Sequence, residues 1–122
     1  MSAEPTSAIG RGKAAEDFAL SELSKKGFRL IERNFSCKQG ELDLVMMDGN
    51  ELVFIEVRYR KGKDFGDGME SIDHHKQRKL RIAAETWLGK HQSANFKSCR
   101  FDVMSISGEI NHLTADWIDD AF

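Results

Sequence analysis

The stretch Glu41-Leu42-Asp43-Leu44-Val45-Met46-Met47-Asp48-Gly49-Asn50-Glu51-Leu52-Val53-Phe54-Ile55-Glu56-Val57-Arg58 sets acids within two runs of Leu, Val, Phe and Ile that flank Asp48-Gly49-Asn50. This pattern reads as a β-hairpin. If Gly49-Asn50 is a two-residue loop, or residues 48 to 51 a four-residue one, paired residue numbers total 99 and Asp43 faces Glu56. If Asp48-Gly49 is the loop, the total is 97 and the two acids become diagonal neighbours on one face. Directly opposed Cβ atoms lie about 4.5–5.5 Å apart, and like charges so placed are destabilising, so a bare structural role explains the pair poorly. A divalent cation removes the conflict, since Mg²⁺ takes carboxylate oxygens at roughly 2.0–2.1 Å and can bridge the two.

Strand alternation puts Glu56, Arg58 and Arg60 on the side of Leu52 and Phe54, with Val53, Ile55, Val57 and Tyr59 on the other. An acid and a base two residues apart thus lie in a strand otherwise apolar enough to be buried. Buried ionisable groups are costly unless paired, which marks a functional site. The competing explanation is an internal Glu56–Arg58 ion pair with Asp43 at a solvated sheet edge. Neither the register nor the apolar flanks favour it.

An Asp followed about a dozen residues later by Glu-x-Lys on the next strand is the signature of the PD-(D/E)xK, or restriction-endonuclease-like, nucleases, which this segment resembles. More closely, Gly12, Ala15-Glu16, Gly27-Phe28, Arg33-Asn34, Gly40 to Val45, Val53 to Val57, Arg60, Phe65-Gly66, Lys76 and Phe101-Asp102-Val103 look like the YraN-like family of uncharacterised bacterial proteins, over nearly the whole chain. That family is similar in fold to archaeal Holliday-junction resolvases and other tRNA-endonuclease-like domains. The resemblance implies Mg²⁺ or Mn²⁺ held by Asp43, Glu56 and the Val57 carbonyl, with a first-helix glutamate, Glu16, completing the acidic cluster. One departure from the family pattern matters: Arg58 stands where Glu-Val-Lys is usual.

Composition narrows the alternatives. With 122 residues, 40% hydrophobic and 31% charged, the chain has room for one core, expected as a single nuclease-like domain over 10–122 after a flexible N-terminal tail of residues 1–9 that holds the only proline, Pro5. The net charge of −2 gives no global sign of nucleic-acid binding, so binding must come from local patches. Cys37 and Cys99 are too few and too far apart for a zinc site and fit reduced thiols in a cytoplasm. The histidines offer no His-x-x-x-His pair for one helix face. No apolar run approaches membrane-spanning length and no signal-peptide pattern opens the chain, so no membrane association is expected and the reading is cytoplasmic.

Apolar spacing from about Lys13 to Lys26 reads as a helix stopped by Lys25-Lys26-Gly27, with Glu16 at the border of its apolar stripe and leaning toward the sheet. Strands follow at about 28–35, 41–47 and 51–60. Lys61 to Gly68 is a loop with three glycines. Ser71 is the expected cap of a second helix running to about Lys90, with Asp73 in its first turn and Leu80, Ala83, Ala84, Trp87 and Leu88 as its buried stripe. Arg100 to Ile106 is a further strand, and Ile110 to Phe122 a short strand or turn. The expected architecture is α/β, a central mixed sheet flanked by helices.

Basic residues gather on the second helix. Lys76, four after Ile72 and four before Leu80, points toward the sheet and demands an anionic partner, while Arg78 and Arg81 are more exposed. Arg60, Lys61 and Lys63 offer phosphate contacts after the third strand. The function expected is a metal-dependent nuclease-like protein acting on phosphodiesters, with DNA favoured over RNA, structured or branched DNA in view, and a homodimer as in resolvase-like relatives. Arg58 would stabilise a transition state but cannot act as a base, since guanidinium stays protonated. Two alternatives stay open: a catalytically weak nucleic-acid-binding module, and a protein-interaction domain that retains a nuclease fold.

Overall fold

Hydrophobic alternation and helical spacing become seven elements in the computed structural model, which describes residues 8–60 and 72–122. They are α1 (Ala8–Lys25), β1 (Arg29–Cys37), β2 (Gly40–Asp48), β3 (Glu51–Arg60), α2 (His74–Lys90), β4 (Ser98–Glu109) and β5 (His112–Ile118). Gly49 adopts φ +61°, a left-handed conformation that glycine takes without steric cost, and makes the two-residue turn with Asn50. Asp48 therefore pairs with Glu51 and Leu44 with Ile55, the register whose paired numbers total 99.

The strands stand in the order β1-β2-β3-β4-β5. β1, β2 and β3 form an antiparallel meander. β4 then joins β3 in parallel, which requires the crossover that α2 supplies. β5 returns antiparallel to β4. The chain end read as a short strand or turn is thus a full strand and the fifth of a mixed sheet.

Each face of the sheet buries one helix. Val45, Met47, Leu52, Phe54, Phe101 and Val103 pack against Leu80, Ala83, Ala84 and Trp87 of α2. Leu44, Met46, Val53, Ile55, Met104 and Ile106 pack against Ala15, Ala19 and Leu23 of α1. β3 contributes alternate residues to both layers and is buried from Leu52 to Glu56, as a central strand should be. The fold is α/β, with a five-stranded mixed sheet between two helices. No helix among the described residues is long and apolar enough to cross a membrane.

Two helix starts differ from the sequence reading. α1 begins at Ala8, inside the stretch expected to be a tail, because the helix formers around Ala8, Lys13, Ala14 and Ala15 outweigh Gly10 and Gly12. α2 is capped by Asp73 rather than carrying it in the first turn: its carboxylate accepts the Lys76 N–H at 2.8 Å. Ser71, the expected cap, lies outside the described residues.

Candidate acidic site

The β2–β3 ladder ends at Leu44–Ile55, and one step further the register sets Asp43 opposite Glu56. There Asp43 Oδ2 accepts the Val57 N–H at 2.8 Å, so a carboxylate takes the place of a strand carbonyl. The register sets the two carboxyls side by side, so that Glu56 disfavours charge on Asp43. Asp43 is pushed up to about 8, first by burial, then by the neighbouring Glu56 carboxyl, with the Val57 N–H and the Lys76 charge opposing. Glu56 is only 7% exposed, and its Oε2 is buried without a hydrogen bond. Lys76 Nζ lies 3.3 Å from that oxygen, at ion-pair distance but outside hydrogen-bond geometry.

α1 and β1 bring the remaining acid. Glu16 Oε1 accepts from Arg33 Nε at 3.4 Å, and Arg33 also binds Asp17. Asn34, between the pairs Arg33–Leu44 and Phe35–Leu42, falls opposite Asp43 and adopts φ +57°. Asparagine tolerates that conformation better than most residues. With its amide nitrogen turned toward the acids, Asn34 donates to Glu16 Oε1 at 3.0 Å and Glu41 Oε1 at 3.3 Å. The left-handed residue also reverses alternation in β1, so that Arg33 meets α1 while Phe35 enters the α2-side core. Glu16 has its pKa raised, first by burial and then by the Asp43 charge, partly offset by Arg33. Asn34, Asp43 and Glu56 thus form a row across three strands, with Glu16 beside it. Sequence reasoning singled out the acids but gave Arg33 and Asn34 no site role; the signal available was their place in the family-like pattern.

The other expected site residues divide. Arg58 and Arg60 are half-buried along β3. Lys61 and Lys63 lie outside the described residues. Arg78 is exposed on α2. Arg81 is exposed too, but its guanidinium stands 5.5 Å from the ring centres of both Phe101 and Phe122, a position that ties the chain end to the core. Among the described residues no three His, Cys, Asp or Glu side chains are arranged to hold a metal ion, so a cation here would rest on two carboxylates and backbone or water oxygens. A cavity of about 410 Å³ opens elsewhere, between Arg29, Met47, Trp87 and His91, and contains neither acid of the pair.

A second buried carboxylate provides the contrast. Asp102 is fully buried on β4, yet its oxygens accept from Arg100 Nε at 2.9 Å, Trp117 Nε1 at 2.9 Å and the Asp120 N–H at 2.9 Å. Every demand of that charge is met within the chain, and it binds β4 to β5 and the chain end. At the Asp43–Glu56 pair, by contrast, Glu56 Oε2 has an ammonium at ion-pair distance and no hydrogen bond.

The chain matches the uncharacterised protein family UPF0102 over residues 15–106. It is 50% identical to a UPF0102 protein of Pseudomonas syringae pv. syringae strain B728a over 112 residues, covering 91% of each chain. A UPF0102 protein of Stutzerimonas stutzeri strain A1501 is 48% identical over 111 residues, covering 91% of this chain and 92% of that one. One from Colwellia psychrerythraea strain 34H is 40% identical over 122 residues, covering 99% and 95%. With matches that span the acidic row, both helices and the parallel strand pair, the chain belongs to the YraN-like family UPF0102.

Proposed function

We propose that the protein is a restriction-endonuclease-like, metal-dependent nuclease of the cytoplasm that acts on nucleic-acid phosphodiesters, DNA before RNA. The observation that supports this best is the Asp43–Glu56 pair, a half-buried and a buried carboxyl side by side, one of whose oxygens lacks a hydrogen bond. Two adjacent carboxylates facing one ammonium are hard oxygen donors that suit a divalent cation. Asp43, Glu56 and the Val57 carbonyl would hold Mg²⁺ or Mn²⁺, which when bound supplies charge to offset the phosphate and orients a water.

The chain's own groups do the rest. Glu16, held by Arg33 and Asn34, adds a third acid next to Asp43. Arg58, two residues beyond Glu56, offers a permanent positive charge to a phosphate whose negative charge grows in the transition state. It accepts no proton. That property supports a second reading, a nucleic-acid-binding module of weak catalytic power.

The test is a thermal-melt titration with MnCl₂ beside a cleavage panel of linear and branched DNA and RNA. Wild type should melt higher with Mn²⁺, as any ligand specific to the folded state demands, and Asp43→Asn and Glu56→Gln should lose both the shift and the cleavage. A wild type indifferent to Mn²⁺ would overturn the metal reading. Metal and nucleic-acid binding without cleavage would move the conclusion to the binding module.

A further inference from the structure

We infer that Lys76 is an exchangeable counter-cation of the carboxylate pair: it occupies Glu56 in the metal-free protein, yields to a divalent cation, and then serves the substrate phosphate. This rests on the metal-dependent reading above. Lys76 Nζ is 3.3 Å from Glu56 Oε2, and a divalent cation on the same oxygen, at roughly 2.0–2.1 Å, would lie within about 5.5 Å of the ammonium whichever side it took. Two positive charges so close repel, so the two occupants of Glu56 exclude one another.

The geometry makes Lys76 the partner that moves. Its backbone is fixed, because its N–H donates to Asp73 Oδ1 at 2.8 Å in the α2 cap. Its side chain is 41% exposed, so it can swing outward without opening the core, whereas Glu56 is held in a buried strand. The contact lacks hydrogen-bond geometry, so no hydrogen bond to Oε2 has to be broken when it leaves. A lysine is also a compact charge on a flexible four-carbon stem, able to reach a phosphate near the site. Metal and Lys76 therefore compete for Glu56, while phosphate and metal cooperate by drawing Lys76 away; by linkage each raises the other's affinity.

Calorimetric titration of MnCl₂ into wild type, Lys76→Met, Lys76→Arg and the remote control Lys97→Met tests the exchange, with anisotropy of a fluorescein-labelled DNA duplex as second readout. Lys76→Met should bind Mn²⁺ on the order of tenfold more tightly, because the competing charge is gone, and should bind the duplex more weakly. Lys76→Arg keeps the charge and should leave Mn²⁺ affinity near the wild-type value, as should Lys97→Met. If wild type binds Mn²⁺ and Lys76→Met binds it equally or more weakly, the exchange is wrong and the metal site stands. If neither binds Mn²⁺, the metal-dependent reading fails and the exchange fails with it.

Discussion

Asp102 and Glu56 are buried carboxylates one residue out of step on parallel strands, since Asp102 pairs with Ile55 and Val103 with Glu56, yet they call for opposite substitutions. Asp102 is satisfied by a guanidinium, an indole and a backbone N–H, so Asp102→Asn should cost about 1–3 kcal/mol by leaving one of these donors without its acceptor, while Arg100 keeps Glu51 and Asp48. Asp43→Asn should do the reverse in metal-free protein. The folded-state pKa of Asp43 stands above its ordinary value of 3.8, so the folded protein holds a proton that the unfolded chain releases. That contribution is fully present below the unfolded value and is lost as pH rises through about 8. Asp43→Asn keeps an acceptor for the Val57 N–H and removes the slope, so its advantage over wild type should grow between pH 5 and pH 8, to on the order of 1 kcal/mol or more in urea unfolding. An advantage that shrinks with pH would show that the Asp43 carboxyl is not raised in the folded protein. Arg58 is tested by gain rather than loss: Arg58→Lys installs a group able to give up its proton, and Mn²⁺-dependent cleavage should rise about tenfold or more. An unchanged rate would point to the binding module.

Among the elements, the hairpin was legible and β1 was not. Asp48-Gly49-Asn50 between apolar runs admits few turns, and any of the loops considered leaves Asp43 and Glu56 on one face; the sequence left open only which register. The Lys76 position followed from helical spacing relative to Ile72 and Leu80, and its ammonium does meet an acid on the sheet. β1 follows no such period. Asn34 at φ +57° and the register shift between Leu30 and Glu32 break the two-residue repeat, so Arg33 and Phe35 face opposite layers. Those breaks arise from packing between β1, α1 and β2, which local pattern does not encode. The conformation can be separated from the amide by two substitutions. Asn34→Ala should destabilise by about 1–2 kcal/mol through the left-handed backbone. Asn34→Gly should restore most of that while leaving Glu16 without the amide, and so weaken Mn²⁺ binding without loss of stability. Equal stability of the two variants in urea unfolding would remove backbone strain from the account. The α2 cap shows the same limit at smaller cost, because Ser71 and Asp73 are both good caps and only the observed backbone places the helix start at His74.

For the whole molecule, the question is how a chain of net charge −2 could hold a polyanion. Composition excluded a globally basic surface and the helix pattern suggested a basic face, but the structure withdraws part of it: Arg81 is engaged with Phe101 and Phe122, so Arg81→Ala should lower stability more than affinity. Arg60, at the end of the strand that holds Glu56, and Arg78, exposed on the helix that holds Lys76, remain as the proposed phosphate contacts. Each phosphate neutralised contributes roughly 0.9 to the slope of log affinity against log salt on duplex DNA. If one protomer binds alone, Arg60→Ala with Arg78→Ala removes two contacts and should flatten the slope by about 1.8. If a two-fold dimer lays both patches on one nucleic acid, as expected of resolvase-like proteins, the same pair of substitutions removes four contacts and the change doubles to about 3.6. Anisotropy across a salt series gives the slope, and sedimentation of the same samples gives the number of chains. A monomer in sedimentation with a slope unaffected by both substitutions would end the phosphate assignment and the dimer together.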